Sequence, residues 1–485
     1  MALKVYNTLS RHLEEFVPQV PGHVGIYVCG PTVYGDAHLG HAKSYVAFDV
    51  IVRHLRASGY KVRYVQNITD VGHMTDNDED EGADKIATRA AVERVEPMEI
   101  VTRYTMRYFE DMNSLGVQNP DIVCQASGHI PEQIAMIEKL LETGHAYEVD
   151  GSVYFSVESF PQYGKLSGRK VDELVEGARV AINDDKKHPS DFALWKKATP
   201  DHLMHWQSPW GEGYPGWHIE CSVMSQKYLG ETFDIHGGGI ENQFPHHECE
   251  IAQSESVTGK QFAGYWLHNN MLTIDGVKMG KSLGNFTTVR EILEKYSAAT
   301  VRLFVLSSHY RSVTDFSDEA LSAAEKGVER INNLMREIDS RQDRLPVGDA
   351  SPETKRVVEE ARGAFNDAMD DDFNTPTAVG AIFDLVRSAN TVLADGGSIA
   401  DGDLALFSSG IKEMAVEVLG LPLFSDGALN DDGLTDQVMD VLLAVRSRLR
   451  QEKNWSLADE LRDRLVEIGV EIKDHADLTT WSRST

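Results

Sequence analysis

Residues Gly25–Asn67 read GIYVCGPTVYGDAHLGHAKSYVAFDVIVRHLRASGYKVRYVQN. Gly25–Cys29 is a short apolar run that predicts a buried strand, and Gly30–Asp36 is rich in turn residues. From about Leu39 to Ser58 the apolar residues Tyr45, Phe48, Val52 and Leu55 recur at helical spacing, and Gly59 stands where a helix C-cap belongs. Val62–Asn67 then supplies a second strand. Strand, helix and strand with one reversal form a βαβ unit, so a parallel sheet is expected. In such a sheet ligands sit beyond the carboxyl ends of the strands, where helix N-termini point N–H groups at anions. Cys29–His41 (CGPTVYGDAHLGH) occupies that place. His38 and His41 flank Gly40 at the start of the helix. Gly40 lets a large planar group approach the backbone, while the histidines offer hydrogen bonds to phosphate oxygens.

Outward from this unit, the chain of 485 residues is too long for one core and suggests two to four domains. Hydrophobic content of 41% with 25% charged residues excludes a mostly disordered protein, and no apolar run is long enough to span a bilayer. The N-terminus MALKVYNTLSRHLEEF lacks a secretory h-region. Four scattered cysteines, at 29, 124, 221 and 249, do not make a disulfide framework and are expected to stay reduced, as in a cytoplasmic protein. A net charge of −29 argues against indiscriminate binding to nucleic acid or membrane, but leaves room for a local basic patch. Residues 70–84 carry seven acidic and no basic side chains and read as a solvated loop. Helical patterns are expected from about 86 to 145, a mixed segment with β-like runs such as SVYFSV from 146 to 210, and a return of the α/β pattern from 216 to 306. Beyond 315 the chain reads as almost wholly helical.

A second motif gives the first its meaning. Lys278-Met279-Gly280-Lys281-Ser282 follows the strand–turn NMLTIDG and precedes SLGNF. Two lysines three apart in a glycine-containing loop can close over a polyphosphate and neutralise the charge developing on it. This pair of motifs, in this order, resembles the HIGH and KMSKS signatures of class I aminoacyl-tRNA synthetases. Gly280 stands where the family has serine, but both lysines remain. The resemblance narrows with CGPTVY at 29–34, NITD at 67–70, GWHIECS at 216–222, FDIHGGG at 233–239, FPHHECEIAQS at 244–254 and DDDFNTP at 370–376. These stretches resemble cysteinyl-tRNA synthetases, and the similarity runs from residue 5 to the C-terminus.

On the predicted helix after FPHH, His246 and Glu250 are four apart and share a face, which suits two ligands of one metal. Spacing alone does not gather them with Cys29 and Cys221, and Cys249, three residues from His246, is a chemically plausible rival to Glu250. The resemblance assigns one zinc ion per chain to Cys29, Cys221, His246 and Glu250. Tetrahedral zinc accepts thiolate, imidazole and carboxylate, and a substrate thiol can join its coordination sphere while a serine hydroxyl gains little. Cys124 reads as an ordinary core or surface thiol.

The implied fold is α/β: a Rossmann-like catalytic domain (1–130 and 211–305), an inserted connective segment (131–210), a stem-contact region (306–345), a helical bundle (346–425) and a C-terminal anticodon-binding domain (426–485), with Asp426–Gly433 as linker. The implied activity is ligation of L-cysteine to tRNA(Cys) through a cysteinyl-adenylate. ATP, brought with Mg²⁺, is handled by His38, Gly40, His41, Gly237, Gly238, Lys278 and Lys281. Thr69 and Trp217 match positions lining the amino-acid pocket, and His236 and Glu241 border the glycine run where ribose or amine would bind. Residues 441–453 have a local charge of +3 beside Trp455 and Trp481, so Arg446, Arg450, Trp455 and Trp481 are candidate tRNA contacts. A monomer is expected. Two rivals differ in readable ways. A ligase joining cysteine to an amino sugar would lack the full anticodon-binding end, and a catalytically silent relative would have lost a signature histidine or lysine. The insertion is also short for a separate editing domain.

Overall fold

The computed structural model describes the chain except for residues 1, 72–83, 170–184, 201, 280–284, 343, 395–398, 424–433, 475–478 and 484–485. The acidic loop for the most part, and the expected Asp426–Gly433 linker entirely, lie outside the described residues. The chain divides into two compact units: Met1–Val328 with Glu359–Leu385 and Gly410–Pro422, and Glu329–Val358 with Val386–Ser409 and Leu423–Thr485.

The first unit opens with a hairpin, β1 (Lys4–Asn7) and β2 (His12–Glu15), and then enters the βαβ unit: β3 (His23–Val28), helix α1 (Leu39–Ala57) and β4 (Lys61–Ile68). β3 and β4 pair in parallel, as the strand–helix–strand pattern requires. α1 is capped at both ends by its own sequence. His38 is the N-cap residue, and Gly59 follows the helix at φ +90°, a backbone conformation that favours glycine. The central sheet has the order β12-β11-β3-β4-β5, with every pairing parallel. Its other members are β5 (Ile122–Gln125) and β12 (Ala263–Asn269), at the two edges, and β11 (Phe233–Gly239) between β12 and β3.

β5 corrects the reading of 86–145 as helical. Its four residues, IVCQ, lie between the helices Pro97–Ser114 and Ile130–Glu142, and become a strand only by pairing with β4. A run this short carries no periodicity of its own, and the sheet supplies its backbone partners. Cys124, buried on β5, donates to the Gln66 carbonyl at 3.5 Å, and burial pushes its thiol up to about 12.

Between the halves of the parallel sheet stands a second, antiparallel one of order β6-β7-β8-β10-β9, built from β6 (Ala146–Val149), β7 (Ser152–Phe155), β8 (Phe192–Lys197), β9 (Trp206–Ser208) and β10 (Gly211–Pro215). After β12 come β13 (Leu272–Ile274) and β14 (Val277–Lys278), a hairpin joined in parallel by β15 (Thr314–Phe316). This last strand departs from the expected all-helical run only at its start. In the second unit the helices Leu434–Gln451 and Trp455–Glu467 pack on a hairpin of β16 (Val470–Asp474) and β17 (Thr479–Arg483), two strands the sequence reading had not anticipated.

Within the first unit, α1 is held by buried charge as well as by apolar packing. Asp49 faces Arg302 and Arg53. Arg302, fully buried, also donates to the carbonyls of Leu419 and Leu115, and Arg53 to those of Gly116 and Glu417. Removing one partner of a buried pair strands the other without compensation. Arg302→Met should therefore destabilise the protein by about 3 kcal/mol, read as a lowered denaturation midpoint, and the double variant with Asp49→Asn should recover part of the loss.

Candidate active site

The site lies where the parallel strands end. Cys29 follows β3, Thr69 follows β4, and His236–Gly239 closes β11. Two helices begin nearby: Trp217–Leu229, entered from β10, and His246–Thr258. They pack against each other and bring Cys221, His246 and Glu250 to Cys29. One ligand atom from each of these four buried residues lies within 4.8 Å of every other. The two sulfurs are 3.8 Å apart, far beyond a disulfide, and His246 Nε2 is 3.1 Å from Glu250 Oε1. Two thiolates each about 2.3 Å from one tetrahedral ion would be separated by about 3.8 Å, so the donor set and its spacing fit a metal such as zinc.

The helix geometry separates the rival ligands. At about 100° per residue, positions 249 and 250 fall on opposite flanks of position 246. Glu250 turns inward, whereas Cys249 meets the Tyr163 hydroxyl at 3.3 Å within an apolar cluster that includes Ile137, Leu140, Phe155 and Trp195.

A layer of histidines backs the four. His236 Nε2 meets Glu250 Oε2 at 2.7 Å, and His247 Nε2 meets Cys29 Sγ at 3.3 Å. His247 Nδ1 is 2.8 Å from His268 Nε2, and His268 Nδ1 is 2.8 Å from Thr8 Oγ1. His218 and His246 approach through their Nδ1 atoms at 3.0 Å, and Trp217 stacks on His246 at 4.1 Å. Partners of this kind fix ligand orientation. Burial lowers His236 and His268 to about 3 and His247 well below the usual imidazole range. The same burial raises Cys29, Cys221 and Glu250, because removal from solvent penalises their ionised forms. His236 is thus placed on a carboxylate of the cluster. His218, His247 and His268 went unassigned in the sequence. The first two lie inside quoted motifs, whereas His268 has no local signal.

The remaining candidates divide. Thr69 donates its hydroxyl to Glu220 Oε2 at 3.0 Å and accepts from Asn67 at 3.1 Å. Glu241 sits exposed on the short Ile240–Gln243 turn. A Cβ on Gly237 would lie 2.3 Å from the Phe48 ring, and one on Gly238 would lie 2.8 Å from His247, so both glycines are required by packing inside the protein.

At the head of α1, His38 Nδ1 accepts from the amides of Gly40 at 3.1 Å and His41 at 3.4 Å, while His41 Nδ1 accepts from the His38 amide at 3.3 Å. The rings stack at 3.8 Å. With each Nδ1 acting as acceptor, a neutral ring carries its proton on Nε2. Lys278 ends β14; its side chain and residues 280–284, with Lys281, lie outside the described residues. Met279 links the two motifs, its Cε 3.4 Å from where a Cβ would stand on Gly40.

The second unit assigns different roles to the tRNA-contact candidates. Arg446, nearly buried, forms a two-pronged ion pair with Asp474 at 2.7 and 2.9 Å, and Arg450 joins the same carboxylate at 2.7 Å. The arginine pair holds the Asp474 carboxyl well below the usual range, with Arg446 the main cause. Trp481 packs with Met439, Leu465 and Val470. Arg446 and Trp481 therefore serve the fold of this unit. Trp455 is 55% exposed, and the Arg450 guanidinium lies 5.9 Å from its ring centre.

Residues 15–326 match the model for the class I (C) tRNA synthetase catalytic domain, 364–424 a DALR domain, and 431–481 the cysteinyl-tRNA ligase anticodon-binding domain. A cysteine–tRNA ligase of Chlorobium luteolum is 51% identical over 490 residues, covering all of both chains. The chain belongs to the cysteine–tRNA ligase family of class I enzymes. A Deinococcus radiodurans family member is 52% identical over 489 residues, covering 99% of this chain and 97% of its own. The class I α/β fold is also shared with a Mycobacterium tuberculosis methionyl-tRNA synthetase solved with methionyl-adenylate, at a TM-score of 0.59 and 15% identity, covering 87% of this chain and 94% of the other. Among the described residues no helix is long and apolar enough to cross a membrane.

Metal content tests the cluster against its neighbours. Cys221→Ser and Glu250→Gln should each lose most of the bound metal on elemental analysis of purified protein, whereas Cys249→Ser should keep it. Equal metal loss in all three would mean that Cys249 belongs to the ligand set.

Proposed function

We propose that the chain joins L-cysteine to tRNA(Cys) in two steps at the expense of ATP, on a zinc ion held by Cys29, Cys221, His246 and Glu250. The observation that carries this reading is the convergence of those four donors in one buried cluster at the sheet edge from which the HLGH turn also starts. When bound there, zinc supplies a soft Lewis-acidic centre that favours a thiolate over a hydroxyl, which would separate cysteine from serine.

The residues around it have defined tasks. His236 and His247 hold Glu250 and Cys29 in place. Trp217, stacked on His246, walls the amino-acid pocket, and Thr69 presents its remaining lone pair to the substrate ammonium. The cysteine carboxylate is already ionised at neutral pH and needs no general base. It attacks the α-phosphorus of ATP, the bond to the β-phosphate oxygen breaks, and pyrophosphate leaves with its Mg²⁺. His38 and His41 donate from Nε2 to the phosphates, and Lys278 and Lys281 neutralise the charge developing on them. In the second step the 2′-OH of the terminal adenosine attacks the cysteinyl carbonyl, the bond from that carbon to the phosphate oxygen breaks, and AMP departs as the hydroxyl proton passes to its phosphate. Arg450 and the exposed Trp455 offer a stacking and cationic contact to an unpaired base. The enzyme works as a monomer in the cytoplasm.

Purified protein should catalyse ATP–pyrophosphate exchange with cysteine, prefer cysteine over serine by on the order of 10⁴, and lose the exchange after chelation of the metal. Exchange that survives complete metal removal would overturn the zinc role. Absence of exchange in metal-replete protein would overturn the adenylation step, and charging of tRNA against an amino-sugar acceptor decides the second.

A further inference from the structure

Lys43 stands two residues beyond the HLGH turn, and its side chain is buried. Its Nζ donates to the carbonyl of Met271 at 2.9 Å and to that of Ser312 at 2.6 Å. Burial lowers it only to about 8, with Glu241 opposing the shift, so the ammonium form predominates at neutral pH. The two carbonyls are not arbitrary. Met271 immediately precedes β13, whose hairpin partner β14 ends at Lys278, and Ser312 lies just ahead of β15, the parallel neighbour of β13. The Met271 carbonyl also accepts from the Thr314 amide, so both of its lone pairs are used and the two chains meet at one oxygen.

Beyond the KMGKS stretch the chain returns to the same place. His38 and Thr288 form an antiparallel bridge, the Leu39 amide donates to Thr287, and the Val289 amide donates to Ala37. The segment that carries the second signature is therefore tied to the head of α1 on both sides. The return side is tied by these backbone bonds and by the edge-to-face contact of His38 with Phe286 at 5.1 Å, and the outgoing side by one lysine together with the neutral contact of Ser44 with Asn269 at 2.9 Å.

We propose that Lys43 is a positioning residue for adenylation: its ammonium, bound to Met271 and Ser312, sets where the β13–β14 hairpin and Met279 meet the HLGH turn. This rests on the reading above that the two motifs handle ATP. A buried charge-assisted pair of bonds holds position better than apolar contact, since any slide of the hairpin would leave the ammonium unpaired. Misplacement of reacting groups by about 1 Å costs on the order of 100-fold in rate.

The test compares wild type with Lys43→Met, Lys43→Arg and Ser44→Ala, following ATP–pyrophosphate exchange, bound metal, and amide hydrogen exchange of peptides spanning 272–279. Lys43→Met should lower kcat/KM for ATP on the order of 10- to 100-fold, leave the KM for cysteine and the metal content unchanged, and speed amide exchange in the hairpin. Lys43→Arg should recover most of both effects, and Ser44→Ala should stay near wild type. If Lys43→Met does not fold, Lys43→Gln, which drops the charge but keeps a donor, takes its place with the same expectations. A folded uncharged variant with unchanged kcat/KM for ATP, or with unchanged hairpin exchange, overturns the proposal. So does a Ser44→Ala effect of equal size, which would make Lys43 ordinary helix packing. Should wild type itself show no exchange with cysteine, the proposed function fails, and the hydrogen-exchange comparison still decides whether Lys43 holds the hairpin.

Discussion

Two thiols, a carboxyl and an imidazole, all buried and drawn to within 4.8 Å of one another, make an arrangement that a folded chain does not adopt by default. Burial raises each acidic member and lowers the backing histidines, so it works against the charged form of every one of these groups. A divalent cation reverses that logic, stabilising deprotonated sulfur and oxygen together. Much of the surrounding architecture serves to bring these donors together. Parallel pairing of β3 with β11 aligns Cys29 with the end of the glycine-rich strand, and packing of the 217–229 helix on the 246–258 helix sets Cys221 beside Glu250.

α1 is the second organising element, and it works along its whole length. Its N-cap histidine fixes two backbone amides and the tautomer of its own ring. One turn on, Lys43 reaches the root of the hairpin that carries the second signature. Two turns further, Asp49 engages Arg302, which donates to the carbonyls of Leu115 and Leu419, and Arg53 donates to those of Gly116 and Glu417. The Asp370–Phe373 turn contributes from another direction. Asp372 and Phe373 both adopt positive φ, at 57° and 53°, and Asp372 accepts from Tyr6, Tyr310 and Arg311. Left-handed backbone at two successive non-glycine residues is retained only where surrounding bonds over-determine it. Here those bonds hold the segment from which Ser312 and β15 follow.

Much of this could be read from residue order. α1 was legible to within a residue because its apolar positions repeat at 3.6 and its ends carry a cap and a glycine. β3 was legible as an apolar run before a turn, and β4 as the strand that completes the βαβ unit. His246 and Glu250 were legible as one helix face. β5 was not, since four residues among helices have no period. The roles of His236 and His268 were not, since neither has a spacing partner: one finds Glu250 and the other His247 only through the sheet. The ion pair of Arg446 was not legible because local charge says nothing about a carboxylate 28 residues later, nor was the packing of Trp481, which depends on its hairpin.

Sequence alone therefore determined what depends on neighbours along the chain: the βαβ start of the parallel sheet, the helix that begins at the HLGH turn, the order of the two signature motifs and the family they resemble. Only the tertiary structure set Glu250 beside Cys29 and Cys221 with Cys249 turned to Tyr163, placed the glycines of β11 against Phe48 and His247, buried Arg446 on Asp474, and set Lys43 under the β13–β14 hairpin. The reason is physical. Periodicity records which face of an element is buried, whereas coordination, charge pairing and close approach depend on which elements the sheet order brings together.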